Sequence, residues 1–171
     1  MTPNLSHSPL SRSNLLIQCY IMITNMKIVN KKAPGKFNTI EKYEAGIELL
    51  GSEVKAIRLG HIDIDSSYVK LMSGEAYLIN AKIFPYKFSR VEGYMEDRTR
   101  KLLLHKKELL KIKNALDTGK YTIAPLSMYI KNGKFKLEIA VSKGKKEHER
   151  RKDLKQQAIK RDQEKELKNL Y

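Results

Sequence analysis

The side chains best suited to chemistry in this chain are cations. Lys55 and Arg58 stand three residues apart, Arg98, Arg100 and Lys101 crowd into RTRK, Lys106 and Lys107 follow, and Lys31 and Lys32 precede them all. Such a set neutralises phosphates, each contact releasing counterions and adding a salt-sensitive increment of affinity. Singly, each lysine reads as a solvated surface charge. Together they belong to a chain with 34 Lys and Arg against 19 Asp and Glu, a formal net charge of +15. Charge of that size, spread along the chain, points to a polyanion partner, nucleic acid before membrane.

Other chemistries find no support. No nucleophile, base and orienting group fall together, and no glycine loop could cradle a phosphate. The four histidines (His7, His61, His105, His148) are scattered and lack cysteine neighbours, so no zinc set and no cofactor is expected. Cys19 stands alone, which excludes an internal disulfide and suits a reducing cytoplasm. The expectation is a non-enzymatic, cytoplasmic binding protein with no membrane role.

The elements that must position these cations are short strands. Residues 37–49 alternate, with Phe37, Tyr43, Ala45, Ile47 and Leu49 on one side and Asn38, Lys42, Glu44 and Glu48 on the other. Gly46 interrupts the run, as a bulge or close backbone approach would. A helix follows, with Ser52 as expected N-cap, Glu53 complementing its dipole, and Leu50, Val54 and Ile57 as the inward face. Ser73-Gly74 turns a hairpin between SYVKLM and EAYLINAKI, which Pro85 ends; residues 86–100 read as a surface loop. Residues 102–116 read as a helix on Leu102, Leu109, Ile112 and Leu116, stopped by Gly119. Two more strands flank Asn132-Gly133, a strong hairpin signal. Five or six short strands with inserted helices predict a mainly β fold, an OB-type closed barrel.

The flanks differ from this middle. Residues 1–26 are rich in Ser, Pro and Asn and then carry the apolar run LLIQCYIMI, too short for a membrane span. They are expected to be an extension from an upstream start, with Met26 as the usual beginning. Residues 27–36 form a basic arm that includes Asn30, Lys31 and Lys32. The barrel is expected over residues 27–142. Beyond it, residues 143–171 have helical propensity but almost no apolar stripe, so this tail should be disordered when free and ordered on a partner. Gly144, flanked by Lys143, Lys145 and Lys146, reads as a hinge at the junction. Tyr43 falls in phase with the core and Tyr68 out of phase with it, which leaves Tyr68 exposed for stacking.

EAGIELLGSEVKAIRLG, DSSYVKL, GEAYLINAKI, RTRKLLLHKKEL and AVSKGKKEHERR occur in one colinear order from about residue 30 to about residue 154. Taken together they resemble the SsrA-binding protein family (small protein B), which partners tmRNA in the rescue of stalled ribosomes. The resemblance implies the same OB-type barrel, and contacts to the tRNA-like domain of tmRNA at Glu44, Ala45, Gly46, Tyr68, Leu103 and His105. It implies a place in the decoding centre of the small ribosomal subunit for the tail, with Lys143, Gly144, Lys145, Lys146, His148, Arg150 and Arg151. It also implies elongation factor Tu as a partner through the RNA, and a monomer. Two departures stand out: Gly35 and Lys36 occupy positions where the family has a His and an acidic residue, and His105 stands where it often has Asn. From another class, a ribosomal protein or a general single-strand RNA binder on an OB barrel would share the charge and the strands.

Overall fold

The computed structural model describes residues 26–89 and 93–169. The expected N-terminal extension lies outside these residues, Met26 excepted. Its longest early strand is β2 (Phe37–Ile47), in which Tyr43 and Ala45 turn inward while Lys42 stays exposed. The last strand, β9 (Lys134–Gly144), runs antiparallel to it from Phe37↔Gly144 to Gly46↔Lys136. At its C-terminal end β2 also pairs with β7 (Arg100–Leu103), through Gly46↔Leu103 and Ile47↔Leu102.

The pairings continue from β7 to β5 (Glu75–Ile79), from β5 to β4 (Tyr68–Met72), and from β4 to β8 (Thr122–Lys131) through Val69↔Ile123. Strand β8 then pairs with β9, so six strands are joined in a cyclic series. Strand β1 (Lys27–Val29) adds to β8, and β3 (Ile62–Asp63) pairs with β6 (Lys82–Ile83) in a separate two-stranded sheet.

Apolar side chains from every strand of the series meet inside: Tyr43, Val69, Leu78, Leu102, Ile123, Met128, Leu137 and Ile139. Ile57 of helix α2 (Gly51–Arg58; α1 is the single turn Ala33–Lys36) and Ile112 of helix α3 (Lys106–Asp117) are fully buried against this cluster. Both type I′-like hairpins have the left-handed residues they require: Ser73 and Gly74 at φ 51° and 77°, Asn132 and Gly133 at φ 52° and 73°. Pro125, which has no N–H to donate, sits at the register shift between β8 and β9.

Several expectations are corrected. Helix α2 is capped at Leu50, not Ser52: the Leu50 N–H donates to a Glu53 carboxylate oxygen at 2.8 Å. Its buried face is Glu53, Ala56 and Ile57, and Leu50 is half-exposed, because Glu53 turns inward to meet two arginines. The run EAYLINAKI is two strands, broken at Asn80 in the left-handed region (φ 58°). Leu102 belongs to β7 and not to a helix; α3 begins only after His105, whose N–H donates to Glu108. Gly144 is no hinge within this fold, since it pairs with Phe37 and the ladder continues to Lys145, whose N–H donates to the Lys36 carbonyl. The helical propensity read in the tail takes the form of helix α4 (Glu147–Asn169). No helix among the described residues is long and apolar enough to cross a membrane.

Candidate nucleic-acid interface

Where β2, β7 and the β8–β9 hairpin converge, they leave an open cleft of about 530 Å³. Glu44, Gly46 and Ile47 of β2 line it, with Leu103 and His105 across from them and Lys134, Phe135 and Lys136 from β9. Gly46 makes the close approach possible: a Cβ there would lie 3.2 Å from the Cβ of Leu103. Leu103 crosses that position with more than half of its surface exposed. His105 caps α3 through its backbone, which leaves its imidazole in solvent at the rim.

Glu44 is the charged centre of the cleft. Tyr129 donates its hydroxyl proton to Glu44 Oε2, Lys131 donates to the same oxygen at 2.9 Å, and Lys136 lies 3.6 Å from Oε1. The Tyr129 hydrogen bond, followed by that from Lys131, holds the Glu44 carboxyl down at about 2. Burial, and then the bond it donates to Glu44, push Tyr129 up to about 12. At neutral pH Glu44 is therefore a carboxylate in a fixed orientation, with acceptor capacity left for ribose hydroxyls or base amino groups. Asn132-Gly133 sets a register that places Tyr129 directly opposite Lys136. That turn signal was the clue to these neighbours, which sequence reasoning missed.

The expected site residues do not all reach this surface. Ala45 is fully buried, because alternation along β2 points it into the core between Glu44 and Gly46. Asn30 is buried too: its amide donates to the Ile64 and Pro125 carbonyls, and its Oδ1 accepts from the Lys32 and Ala33 N–H groups. It is a clamp that starts α1 and not a contact for a ligand. Tyr68 is exposed on β4 as expected, but outside the cleft.

The cationic set divides in the same way. Lys31, Lys32, Lys55, Arg58, Lys106 and Lys107 are all exposed. Lys101 is half-buried and paired with Glu75. Arg98 grips both oxygens of Glu53, at 2.9 and 2.6 Å. Arg100 has no exposed surface at all, so its phosphate role is corrected: an interior arginine must be paired, and it is paired with Glu53. Burial raises the Glu53 carboxyl, but the hydrogen bonds from Arg98 and the Leu50 N–H and the charge of Arg100 outweigh it, and the net shift is downward.

At the junction, Lys143 extends β9 with its side chain in solvent. Lys145 is engaged internally, donating to the Pro34 carbonyl at 2.8 Å and to Asp153 at 2.6 Å, and so ties α4 to the basic arm. Lys146 and His148 are exposed; Arg150 and Arg151 are exposed while sharing Glu147 at 3.2 and 3.4 Å. Lys31, Lys32, Lys36 and Arg150 border a small cavity of about 240 Å³.

Known proteins resemble this chain over most of its length. A family model described as SmpB protein matches residues 27–169. The SsrA-binding protein of Aquifex aeolicus (strain VF5) is 46% identical over 140 residues, 81% of this chain and 89% of that protein. That of Clostridium tetani (strain Massachusetts / E88) is 45% identical over 140 residues, 82% and 90% of the two chains. A solved chain, from work described as "tmRNA-SmpB: a journey to the center of the bacterial ribosome", superposes with a TM-score of 0.59 at 36% identity. The match covers 71% of this chain and 85% of that one.

Proposed function

The chain belongs to the SmpB protein family, and from that premise we propose that it binds the tRNA-like domain of tmRNA and brings it to stalled ribosomes for trans-translation. The observation that carries the reading is the cleft in which Glu44 and Gly46 of β2 meet Leu103 of β7 and His105 at the start of α3. An oriented carboxylate, an exposed apolar side chain and an imidazole suit an RNA fold presented by shape, with lysines around them to meet the backbone. The cyclic strand pairing supports an OB-type closed barrel over residues 27–142 as the platform, with residues 143–171 as a separate ribosome-directed tail.

Within this reading the protein acts as a monomer in the cytoplasm and does no covalent chemistry. Elongation factor Tu is reached through the RNA. The tail, led by Lys143, Lys146 and His148, engages the decoding centre of the small subunit. The test is to recover the tagged protein from its own cells and sequence the RNA that comes with it. Enrichment of tmRNA is the expected result. Random RNA, or stoichiometric co-sedimentation with ribosomal subunits at high salt, overturns it in favour of a general single-strand binder or a ribosomal protein.

A further inference from the structure

Away from the cleft-lining residues, the loop after β6 carries Phe84 and Phe88 outside the core, beside Tyr86, which packs partly against it. Phe88 is 79% exposed and Phe84 44% exposed. Tyr86 meets Phe88 edge to face, with ring centroids 5.6 Å apart and planes at 64°. The ammonium of Lys55 lies 5.5 Å from the centre of the Tyr86 ring, and that of Lys87 lies 5.9 Å from the centre of the Phe88 ring. The turn that presents them is held, since the Tyr86 carbonyl accepts from both the N–H and the hydroxyl of Ser89.

Exposed rings grouped on one loop mark a contact surface more than a lone phenylalanine would, and the chemistry that would cover them is indicated by their neighbours. Two cations lie against the rings, and Arg58 follows Lys55 by one helical turn. Rings bordered by ammonium groups suit a flat group with a negative charge beside it, which a base on its phosphodiester chain supplies. We propose that Phe88 and Tyr86 form a stacking platform for one unpaired RNA base, with Lys55 and Arg58 holding its flanking phosphates. The proposal rests on the RNA-binding reading and adds to it a contact separate from the cleft. The base could come from tmRNA or from ribosomal RNA, and the chemistry of recognition is the same.

The test compares the full chain with its Phe88→Ala, Phe88→Trp and Lys55→Ala variants. Each is titrated against the tRNA-like domain of tmRNA over a range of salt, and each is then assayed as its tmRNA complex on stalled ribosomes. Stacking is worth roughly 1–3 kcal/mol per base, so Phe88→Ala should weaken the affected step about 5- to 150-fold. The salt slope should stay unchanged, because stacking releases no counterions, and Phe88→Trp should bind as the parent does. Lys55→Ala should instead flatten the slope. A loss with tmRNA alone assigns the base to tmRNA, and a loss confined to the ribosome step, with a photo-crosslink from position 88 to RNA, assigns it to ribosomal RNA. Parent-like behaviour of Phe88→Ala in both steps overturns the platform, as does a crosslink to ribosomal protein. Failure of the parent itself to bind tmRNA would instead overturn the proposed function.

Discussion

Arg100 and Glu53 are joined with neither side chain exposed, Nη2 standing 2.8 Å from Oε1. Nε donates to Glu53, Nη1 to the Ala81 and Arg98 carbonyls, and Nη2 to the Glu96 carbonyl while standing in ion-pair contact with Glu53. Glu53 in turn accepts from Arg98 and from the N–H that starts α2. One carboxylate thereby locks the helix, strand β7 and the loop between β6 and β7 into register.

Removing one partner should be far worse than losing a surface pair. Arg100→Met leaves the Glu53 charge inside with only Arg98 to answer it, at a cost of about 3–5 kcal/mol. The expected outcome is a lower denaturation midpoint with an unchanged m-value in urea. A change within about 0.5 kcal/mol, typical of a surface site, would mean that the pair does not organise the fold.

Glu44 makes a pH prediction whose sign is fixed by its depressed pKa. A carboxyl lowered on folding contributes stability above its unfolded pKa and loses it as pH falls through the folded value. For Glu44 that window runs from its ordinary 4.5 down to about 2. Tyr129→Phe removes the hydrogen bond that does most to lower it, so the Glu44 carboxyl carbon should titrate at higher pH by NMR, and the acid-unfolding midpoint should rise. An unmoved titration would show that Lys131 and Lys136 suffice.

Much of the architecture was legible from residue types. Ser73-Gly74 and Asn132-Gly133 demand φ > 0, and both turned where expected. The inward Tyr43 and outward Tyr68 followed from alternation. What was not legible lies in pairs and short pieces. Arg100 reads as a surface charge because its partner is 47 residues away, and nothing local announces the pair. Strand β7 has four residues ending in an apolar run with no period of its own, so it merged with the helix that follows. The two-residue strands β3 and β6 are too short to carry a period at all. Of the site, the exposed lysines came from charge alone, whereas Glu44, Gly46, Leu103 and His105 came from the resemblance, because only the register of β2 and β7 brings them together.

Gly46 and Leu103 separate shape from stability. A methyl group on Gly46 would lie 3.2 Å from the Leu103 Cβ, an atom fixed by the β7 backbone, so β2 and β7 must part by a few tenths of an ångström to admit it. Gly46→Ala should therefore cost only about 1 kcal/mol of stability. It should nevertheless weaken tmRNA binding measurably, since the displaced leucine narrows the cleft. Leu103→Ala should leave the melting temperature nearly unchanged and weaken binding too. Parent-like affinity in both variants would remove the cleft from the interface.

The tail should be separable from RNA capture. Helix α4 touches the body near its start, where Lys145 joins Asp153 and the Pro34 carbonyl, and none of the cleft-lining residues belongs to it. Deleting residues 147–171 should therefore leave affinity for the tRNA-like domain within a few fold. The same deletion removes His148, Arg150 and Arg151, exposed groups able to stack on bases or neutralise phosphates on a second RNA surface. Peptide tagging on stalled ribosomes should then be lost, and His148→Ala alone should reproduce much of that loss. Asp153→Asn gives the intermediate case: it loosens the tie to the arm without removing a cation, so tagging should slow while tmRNA affinity holds. Tagging at the parental rate by the truncated chain would make the tail a solvated appendage and end its assignment to the decoding centre.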